Sequence, residues 1–141
     1  MIAGEDQIVR RIVPGEVARG LADRVRLTGP RPHGELPALL GAADVMLLMS
    51  TSEGLANVWV EAMACGTPIV IGDIGGAREA LRSHAAGRIA AFEPQAVADA
   101  VRDVLAEAPD PQAVRREVDR FSWETNAEAL ETHLRRVAGR R

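Results

Sequence analysis

The chain has 141 residues, of which 47% are hydrophobic and 26% are charged, a balance typical of one globular domain that buries its own core. A net charge of −3 and only two Phe and two Trp residues argue against a nucleic-acid-binding surface. The single cysteine, Cys65, excludes an internal disulfide and a cysteine-based metal cluster, and we expect it to be a small core residue.

Two further absences bear on function. The chain has no lysine, so all of its 17 Lys/Arg positions are arginines. No apolar run reaches membrane-spanning length, and no secretory leader opens the sequence. We therefore expect a cytoplasmic protein without a transmembrane segment.

The first part of the chain predicts the end of one β/α unit and the start of another. Residues 1–4 have the pattern of the last residues of a strand, and residues 5–21 that of a helix interrupted at Pro14. Residues 24–29 alternate polar and apolar side chains and end in glycine, which predicts a second strand. Because the first strand starts in mid-element, we expect the domain to be N-terminally incomplete.

The middle of the chain alternates between strand and helix patterns. Apolar runs of strand length are bounded by turn signals, and the segments between them carry apolar residues at helical spacing. The predicted elements are a helix at 35–43, a strand at 45–49, a helix at 57–65, a strand at 68–72, a short helix at 77–84, a strand at 87–92 and a helix at 94–108. This alternation predicts a parallel sheet with helices on both faces.

The C-terminal segment predicts two more helices after a proline-rich linker at residues 109–111. The first carries Val114, Val118 and Phe121 on one stripe. The second is a C-terminal helix at residues 122–138, with Ser122 as its N-cap. Its apolar stripe, which we expect to pack on the same domain, consists of Trp123, Leu130, Leu134 and Val137.

Glu61 is the one acidic residue in the predicted helix at 57–65. It is flanked by Val60 and Ala62 in a segment that is apolar on nearly every side, so we expect it to have lost much of its water. Because an unpaired buried charge costs several kcal/mol, this carboxylate needs a partner. Two partners are open: an arginine of the same fold, or a pair of hydroxyl groups from a bound ribose or polyol.

A second carboxylate, Glu53, precedes Gly54 in the loop before this helix. Glycine lets the backbone approach a ligand closely, and the start of a helix offers free N–H groups where phosphate usually binds. Two carboxylates for hydroxyl groups beside such a helix start indicate a nucleotide-sugar site better than a metal site. The alternative is that Glu53 is a solvated loop acid.

Gly75 and Gly76 follow the predicted strand at 68–72. A glycine pair is usually only a turn, but the carboxyl end of a buried strand is the edge at which α/β sheets bind ligands. We therefore expect both glycines to line the phosphate side of the pocket.

The string from Glu53 to Glu61, continued as Ala-Met-Ala-Cys-Gly-Thr-Pro-Ile-Val and by Gly75-Gly76-Ala-Arg-Glu, resembles the retaining family-4 glycosyltransferases over nearly the whole chain. These enzymes have two facing Rossmann-like domains, the GT-B fold, and the likeness falls in the second, donor-binding domain. The resemblance implies that residues 1–141 form a donor domain for a UDP- or GDP-linked sugar, with retaining hexosyl transfer and no obligatory metal or cofactor. It also implies an acceptor-binding domain, in the same or another chain, that these residues do not contain.

The resemblance further implies a role for each matching residue. Glu61 would accept hydrogen bonds from the ribose hydroxyls, and Glu53 would be the catalytic residue, in contact with the transferred sugar near its anomeric carbon. Arg31 would contact the base through its backbone. Backbone N–H groups for the sugar and the phosphates would come from Gly54, Leu55, Ala56, Asn57 and Val58.

Three functions are compatible with these residues. The first is the donor-binding half of a glycosyltransferase, inactive until an acceptor domain completes it. The second is a non-catalytic nucleotide-sugar-binding or scaffold module whose pocket is vestigial. The third, part of a nucleotide-sugar epimerase, is less favoured because the Ala-Met-Ala-Cys-Gly-Thr-Pro string is more typical of the transferases. The nucleobase, the sugar, the acceptor and the oligomeric state stay open.

Overall fold

The computed structural model of the chain describes residues 20, 21 and 23–139. The predicted strand at residues 1–4 and nearly all of the predicted helix at residues 5–21 lie outside the described residues. The chain divides into two compact units, Met1–Leu36 and Pro37–Arg141.

In the first unit, residues 24–29 form no strand, so the prediction of one is wrong. An alternating pattern gives a strand only where a neighbouring strand takes up its backbone hydrogen bonds, and these residues pair with no other described segment. Val25 and Leu27 are accordingly 39% and 37% exposed. A 3₁₀ turn at His33–Glu35 follows, and its exposed histidine agrees with a surface position.

The second unit contains a parallel sheet, in which three strands are described in the order β1-β2-β3. The strands are β1 (Met46–Leu48), β2 (Ile69–Gly72) and β3 (Gly87–Ala90), and each falls within a predicted strand segment. Val70 lies opposite Leu47 of β1 and opposite Arg88 of β3. The carboxyl ends of the three strands therefore share one edge of the sheet, where the loops that follow them can meet.

Helices alternate with the strands up to β3, after which three helices follow one another. In chain order they are α1 (Leu36–Gly41), α2 (Asn57–Ala64), α3 (Ala77–Ala80), α4 (Pro94–Glu107), α5 (Pro111–Arg116) and α6 (Trp123–Ala138), with 3₁₀ turns at His84–Ala86 and Asp119–Phe121. Within the described residues, none of these helices is long and apolar enough to cross a membrane.

The core lies on both faces of the sheet, because successive residues of β2 point to opposite sides. The cluster on one face joins β2 to α2 and α5 through Ile69, Ile71, Trp59, Met63 and Val114. The cluster on the other face joins β2 to α4 through Val70, Ala100 and Val104. The prediction of a Rossmann-like parallel sheet with helices on both faces is confirmed.

Helix α3 ends four residues earlier than predicted. It stops at Ala80 because Leu81 is extended, with φ −112° and ψ 99°. The Ser83 side chain then accepts a 3.0 Å hydrogen bond from the Ala85 amide and opens the next 3₁₀ turn. A side-chain cap of this kind competes with continuation of the helix.

Helix α5 is also shorter than predicted. It ends at Arg116, so Val118 and Phe121 lie beyond it, and Phe121 belongs to a separate 3₁₀ turn. Val114 alone of the predicted stripe is fully buried.

Helix α6 begins as predicted, since the Ser122 hydroxyl oxygen accepts a 3.1 Å hydrogen bond from the Thr125 amide. The expectation that its apolar stripe packs on the same domain is wrong, because no described residue of the helix is buried. Trp123 is 86% exposed, and Leu130, Leu134 and Val137 are 52–58% exposed. An amphipathic pattern indicates a face suited to burial but does not indicate which surface covers it.

Candidate functional site

The loop after β1 and the turn after β2 meet at the carboxyl edge of the sheet. The Gly76 amide donates a 2.7 Å hydrogen bond to the carbonyl oxygen of Gly54. A Cβ at position 76 would lie only 2.8 Å from that same oxygen. Glycine at position 76 is therefore required for the two segments to approach this closely.

Gly75, the residue before Gly76, also lies close to the backbone of the loop after β1. Its φ of +42° is a conformation that side chains disfavour, and a Cβ there would overlap the carbonyl oxygen of Glu53. The structure thus brings together four of the predicted site residues: Glu53, Gly54, Gly75 and Gly76.

Helix α2 starts directly beside this junction. Ala56 occupies its N-cap position with φ −70° and ψ 123°, and no side chain of the described residues caps the helix. The first turn also holds no acidic residue. A helix leaves the backbone N–H groups at Asn57 and Val58 without an intrahelical acceptor, and no described side chain takes them up, so these groups can serve an anion.

Glu61 is half-buried rather than buried, so the expectation of a largely dehydrated carboxylate is wrong in degree. The helix buries Trp59, Ala62 and Met63 completely, and Glu61 lies between that face and solvent. In the part of the chain that the structure describes, no arginine forms an ion pair with Glu61 and its carboxylate accepts no hydrogen bond. Of the two partners that the sequence leaves open for Glu61, the arginine of the same fold is therefore absent among those residues.

The remaining predicted site residues differ in their exposure. Glu53, Ala56 and Val58 are half-buried, whereas Gly54, Leu55 and Asn57 are exposed. Residues 53–58 therefore present an open surface rather than an enclosed pocket. Arg31 belongs to the first compact unit, where its guanidinium lies 3.6 Å from the Glu35 carboxylate.

One ion pair flanks the glycine turn. Arg78 donates to Asp73 through Nε at 3.0 Å and through Nη2 at 2.5 Å. This hydrogen bonding and the charge of Asp73 raise the pKa of Arg78 above its usual range. Both side chains also line a cavity of about 670 Å³ beside β3, and this cavity does not include residues 53–58. Over the described ranges, no group of three or more His, Cys, Asp or Glu side chains is placed to hold a metal ion.

Two residues near the site were not predicted. Trp59 is 0% exposed at the centre of α2, and its indole Nε1 has no hydrogen-bond partner in the described chain. Arg120 donates to the carbonyl oxygens of Glu79 and Ala80, at the end of α3. The only sequence signal for Arg120 is an arginine directly before Phe-Ser-Trp, which does not indicate a contact with residues about 40 positions earlier.

The chain matches the family profile described as glycosyl transferases group 1 over residues 2–121. D-inositol 3-phosphate glycosyltransferase from Mycobacterium tuberculosis is 35% identical over 127 residues, which cover 85% of this chain and 26% of that protein. The chain thus spans about a quarter of the length of the curated relatives it matches.

Two solved structures share the fold of this chain. Sucrose-phosphate synthase from Thermosynechococcus elongatus superposes with a TM-score of 0.79 and 28% identity, over 94% of this chain and 35% of that one. HepE from Anabaena, in complex with UDP, superposes with a TM-score of 0.73 and 28% identity, over 93% of this chain and 38% of that one. With a family profile matched over most of its length and a fold shared with solved structures, the chain belongs to the glycosyl transferases group 1 family.

Proposed function

We propose that this chain is the donor-binding half of a retaining glycosyltransferase that transfers a hexosyl unit from a nucleoside diphosphate sugar to an acceptor. The observation that carries the proposal is the junction of Gly76 with Gly54, because it gathers the candidate donor residues at one edge of a parallel sheet. That edge is where α/β folds bind nucleotides. Family membership supports the transferase class.

Glu61 is proposed to hold the ribose. Its carboxylate is half-buried on α2, and among the described residues no ion pair has to break before it accepts two hydroxyl hydrogen bonds. Hydrogen bonds to a charged carboxylate contribute about 1.5–3 kcal/mol each. A ligand that supplies two adjacent hydroxyl groups, as a ribose does, fits this acceptor.

The diphosphate is proposed to lie at the start of α2 and against the glycine turn. The uncapped N–H groups of Asn57 and Val58 supply donors, and the bare backbone of Gly54, where a Cβ would meet no atom within 4 Å, allows phosphate oxygens to come close. These groups would stabilise the negative charge that grows on the diphosphate as it leaves.

Glu53 is proposed as the catalytic residue that contacts the transferred sugar. Any side chain at position 75 would overlap the Glu53 carbonyl oxygen, because the Glu53 backbone is held tightly against the glycine turn. In the proposed retaining step, the bond between the anomeric carbon and the diphosphate oxygen breaks, and the acceptor oxygen bonds to that carbon from the same face. The acceptor proton passes to the departing diphosphate.

The acceptor site is proposed to lie outside this chain, which spans about a quarter of its curated relatives. We therefore expect the chain alone to bind the donor weakly and to transfer nothing. HepE was solved in complex with UDP and with UDP-glucose, so UDP and its glucose conjugate are the first ligands to test.

The test is titration calorimetry of the chain with UDP, GDP and their hexose conjugates, together with thermal unfolding in millimolar nucleotide. We expect one nucleotide to bind and to raise the melting temperature, as mass action requires of a ligand of the folded state. Glu61→Gln should weaken that binding, whereas Glu128→Gln, at an exposed position on α6, should not. If no nucleotide binds, or if both variants bind as the wild type does, the proposed function is wrong.

A further inference from the structure

Arg120 lies outside the proposed donor site, and its side chain donates hydrogen bonds to three backbone carbonyl oxygens. Its Nη2 donates to the carbonyl oxygens of Glu79 at 2.6 Å and of Ala80 at 2.7 Å. Its Nη1 donates to the carbonyl oxygen of Glu117 and lies 3.6 Å from that residue's carboxylate. The guanidinium also stacks 4.4 Å from the ring centroid of Phe121.

The Arg120 side chain is largely withdrawn from solvent. Only 23% of it is exposed, and its Nε is buried without a hydrogen-bond partner in the described chain. Burying a guanidinium with one donor unsatisfied disfavours the folded state, so the contacts of the other two nitrogens must outweigh that cost. This arrangement indicates that the fold depends on the position of the carbonyl groups to which Arg120 donates.

Those carbonyl groups end α3, which is too short to be stable by itself. A helix of four residues gains little stability from its own hydrogen bonds. Its last carbonyl oxygens receive no hydrogen bond from an N–H group of the same helix. Leu81 is extended, so the chain beyond α3 does not supply the missing donors. Arg120 supplies them from about 40 positions along the sequence.

The other end of α3 is the glycine turn of the donor site. The Ala80 amide donates to the Gly76 carbonyl oxygen at 2.8 Å, and the Gly76 amide donates to Gly54 at 2.7 Å. A continuous series of hydrogen bonds therefore runs from the Arg120 guanidinium through α3 to the loop that contains Glu53.

We propose that Arg120 is a positioning residue for the donor site, which holds α3 so that the turn at Gly75 and Gly76 stays against the loop at Glu53 and Gly54. The effect of Arg120 on nucleotide binding rests on the proposed function, whereas its effect on the position of the turn does not. A lysine cannot replace it, because one ammonium group lacks the planar fork that reaches several carbonyl oxygens at once.

The test is amide hydrogen exchange, read residue by residue by NMR, in the wild type, Arg120→Lys and Arg120→Met, with UDP affinity measured in parallel. Arg116→Met is the matched control, since Arg116 ends α5 in an exposed position. We expect the Gly76 and Ala80 amides to exchange roughly tenfold faster in both Arg120 variants, as loss of a charged hydrogen bond implies. The β2 amides should keep their protection, and UDP affinity should fall only in the Arg120 variants.

The inference is overturned if Gly76 exchanges at the wild-type rate in the Arg120 variants. It is equally overturned if all amides accelerate together, because that result indicates general destabilisation. Should Arg120→Met fail to fold, Arg120→Lys decides between these outcomes. A wild-type chain that binds no UDP contradicts the proposed function, yet exchange at Gly76 still decides whether Arg120 positions the turn.

Discussion

The hydrogen bond from the Gly76 amide to the Gly54 carbonyl oxygen, 2.7 Å long, joins the loops that follow two adjacent parallel strands. It places the half-buried Glu53, the uncapped start of α2 and the glycine turn at residues 75 and 76 side by side. Local sequence pattern explains each of these features separately, whereas their combination depends on this one contact between backbones.

The first prediction concerns that junction. Gly75→Ala should destabilise the fold by about 1–3 kcal/mol, because the new methyl group overlaps the Glu53 carbonyl oxygen and the backbone is in a left-handed conformation. Urea unfolding followed by circular dichroism measures the change. Gly34→Ala is the control, since a methyl group there meets no atom within 4 Å and should leave stability nearly unchanged. Equal stability of the two variants would show that the junction is not tight.

The second prediction separates a ligand role for Glu61 from an internal structural one. Glu61→Gln should change the unfolding free energy of the ligand-free chain by no more than about 0.5 kcal/mol, the range of surface substitutions without special contacts. Loss of one partner from a buried ion pair would instead cost about 3–5 kcal/mol. Unfolding in the absence of nucleotide distinguishes these values, and the larger loss would mean that Glu61 has a structural partner.

The third prediction tests the core that supports the site. Ile71→Ala should lower the free energy of unfolding by about 2–5 kcal/mol, because the Ile71 side chain on β2 is completely buried in the cluster that joins β2 to α2. Leu47→Ala is the control on the neighbouring strand, where 48% of the residue is exposed, and it should lose clearly less. Trp59 fluorescence reports unfolding of the same cluster. A similar loss in both variants would contradict the assignment of the core.

The fourth prediction concerns the start of α6. Ser122→Ala should cost that helix about 0.5–2 kcal/mol, because it removes the oxygen that caps the Thr125 amide. Since no described residue of α6 is buried, the effect should be local fraying, seen as faster exchange of the Thr125 amide, rather than a lower melting temperature. Thr132→Ala, in the exposed middle of the helix, should not accelerate that exchange. A large drop in melting temperature with Ser122→Ala would show that α6 is packed.

The sheet could be predicted from the sequence because its strands are short, continuous apolar runs bounded by turn residues. Val45 to Met49 illustrates this, since the observed strand lies inside the predicted one. Residues 24–29 form no strand although their side chains alternate in polarity, because they have no described partner strand. Pairing is a property of two segments, and the pattern of one segment does not contain it.

The site was predicted only in part for a similar reason. The position of Gly75 and Gly76 at the carboxyl edge follows from chain order in a parallel sheet, and the structure places them there. The exposure of Glu61 was underestimated, because the sequence shows its neighbours along the helix but not which side of α2 the core covers. Arg120 could not be predicted, since its partners are backbone carbonyl groups that every residue carries.

The proposed function depends on the Glu61 carboxylate accepting hydrogen bonds from a ribose. Titration calorimetry with UDP and with 2′-deoxy-UDP tests it directly, because the two ligands differ only in one hydroxyl group. The wild type should bind UDP roughly tenfold more tightly than the deoxy analogue, and Glu61→Gln should remove most of that difference. A wild type that does not distinguish the two nucleotides, or a Glu61→Gln variant that keeps the full preference, would contradict the account.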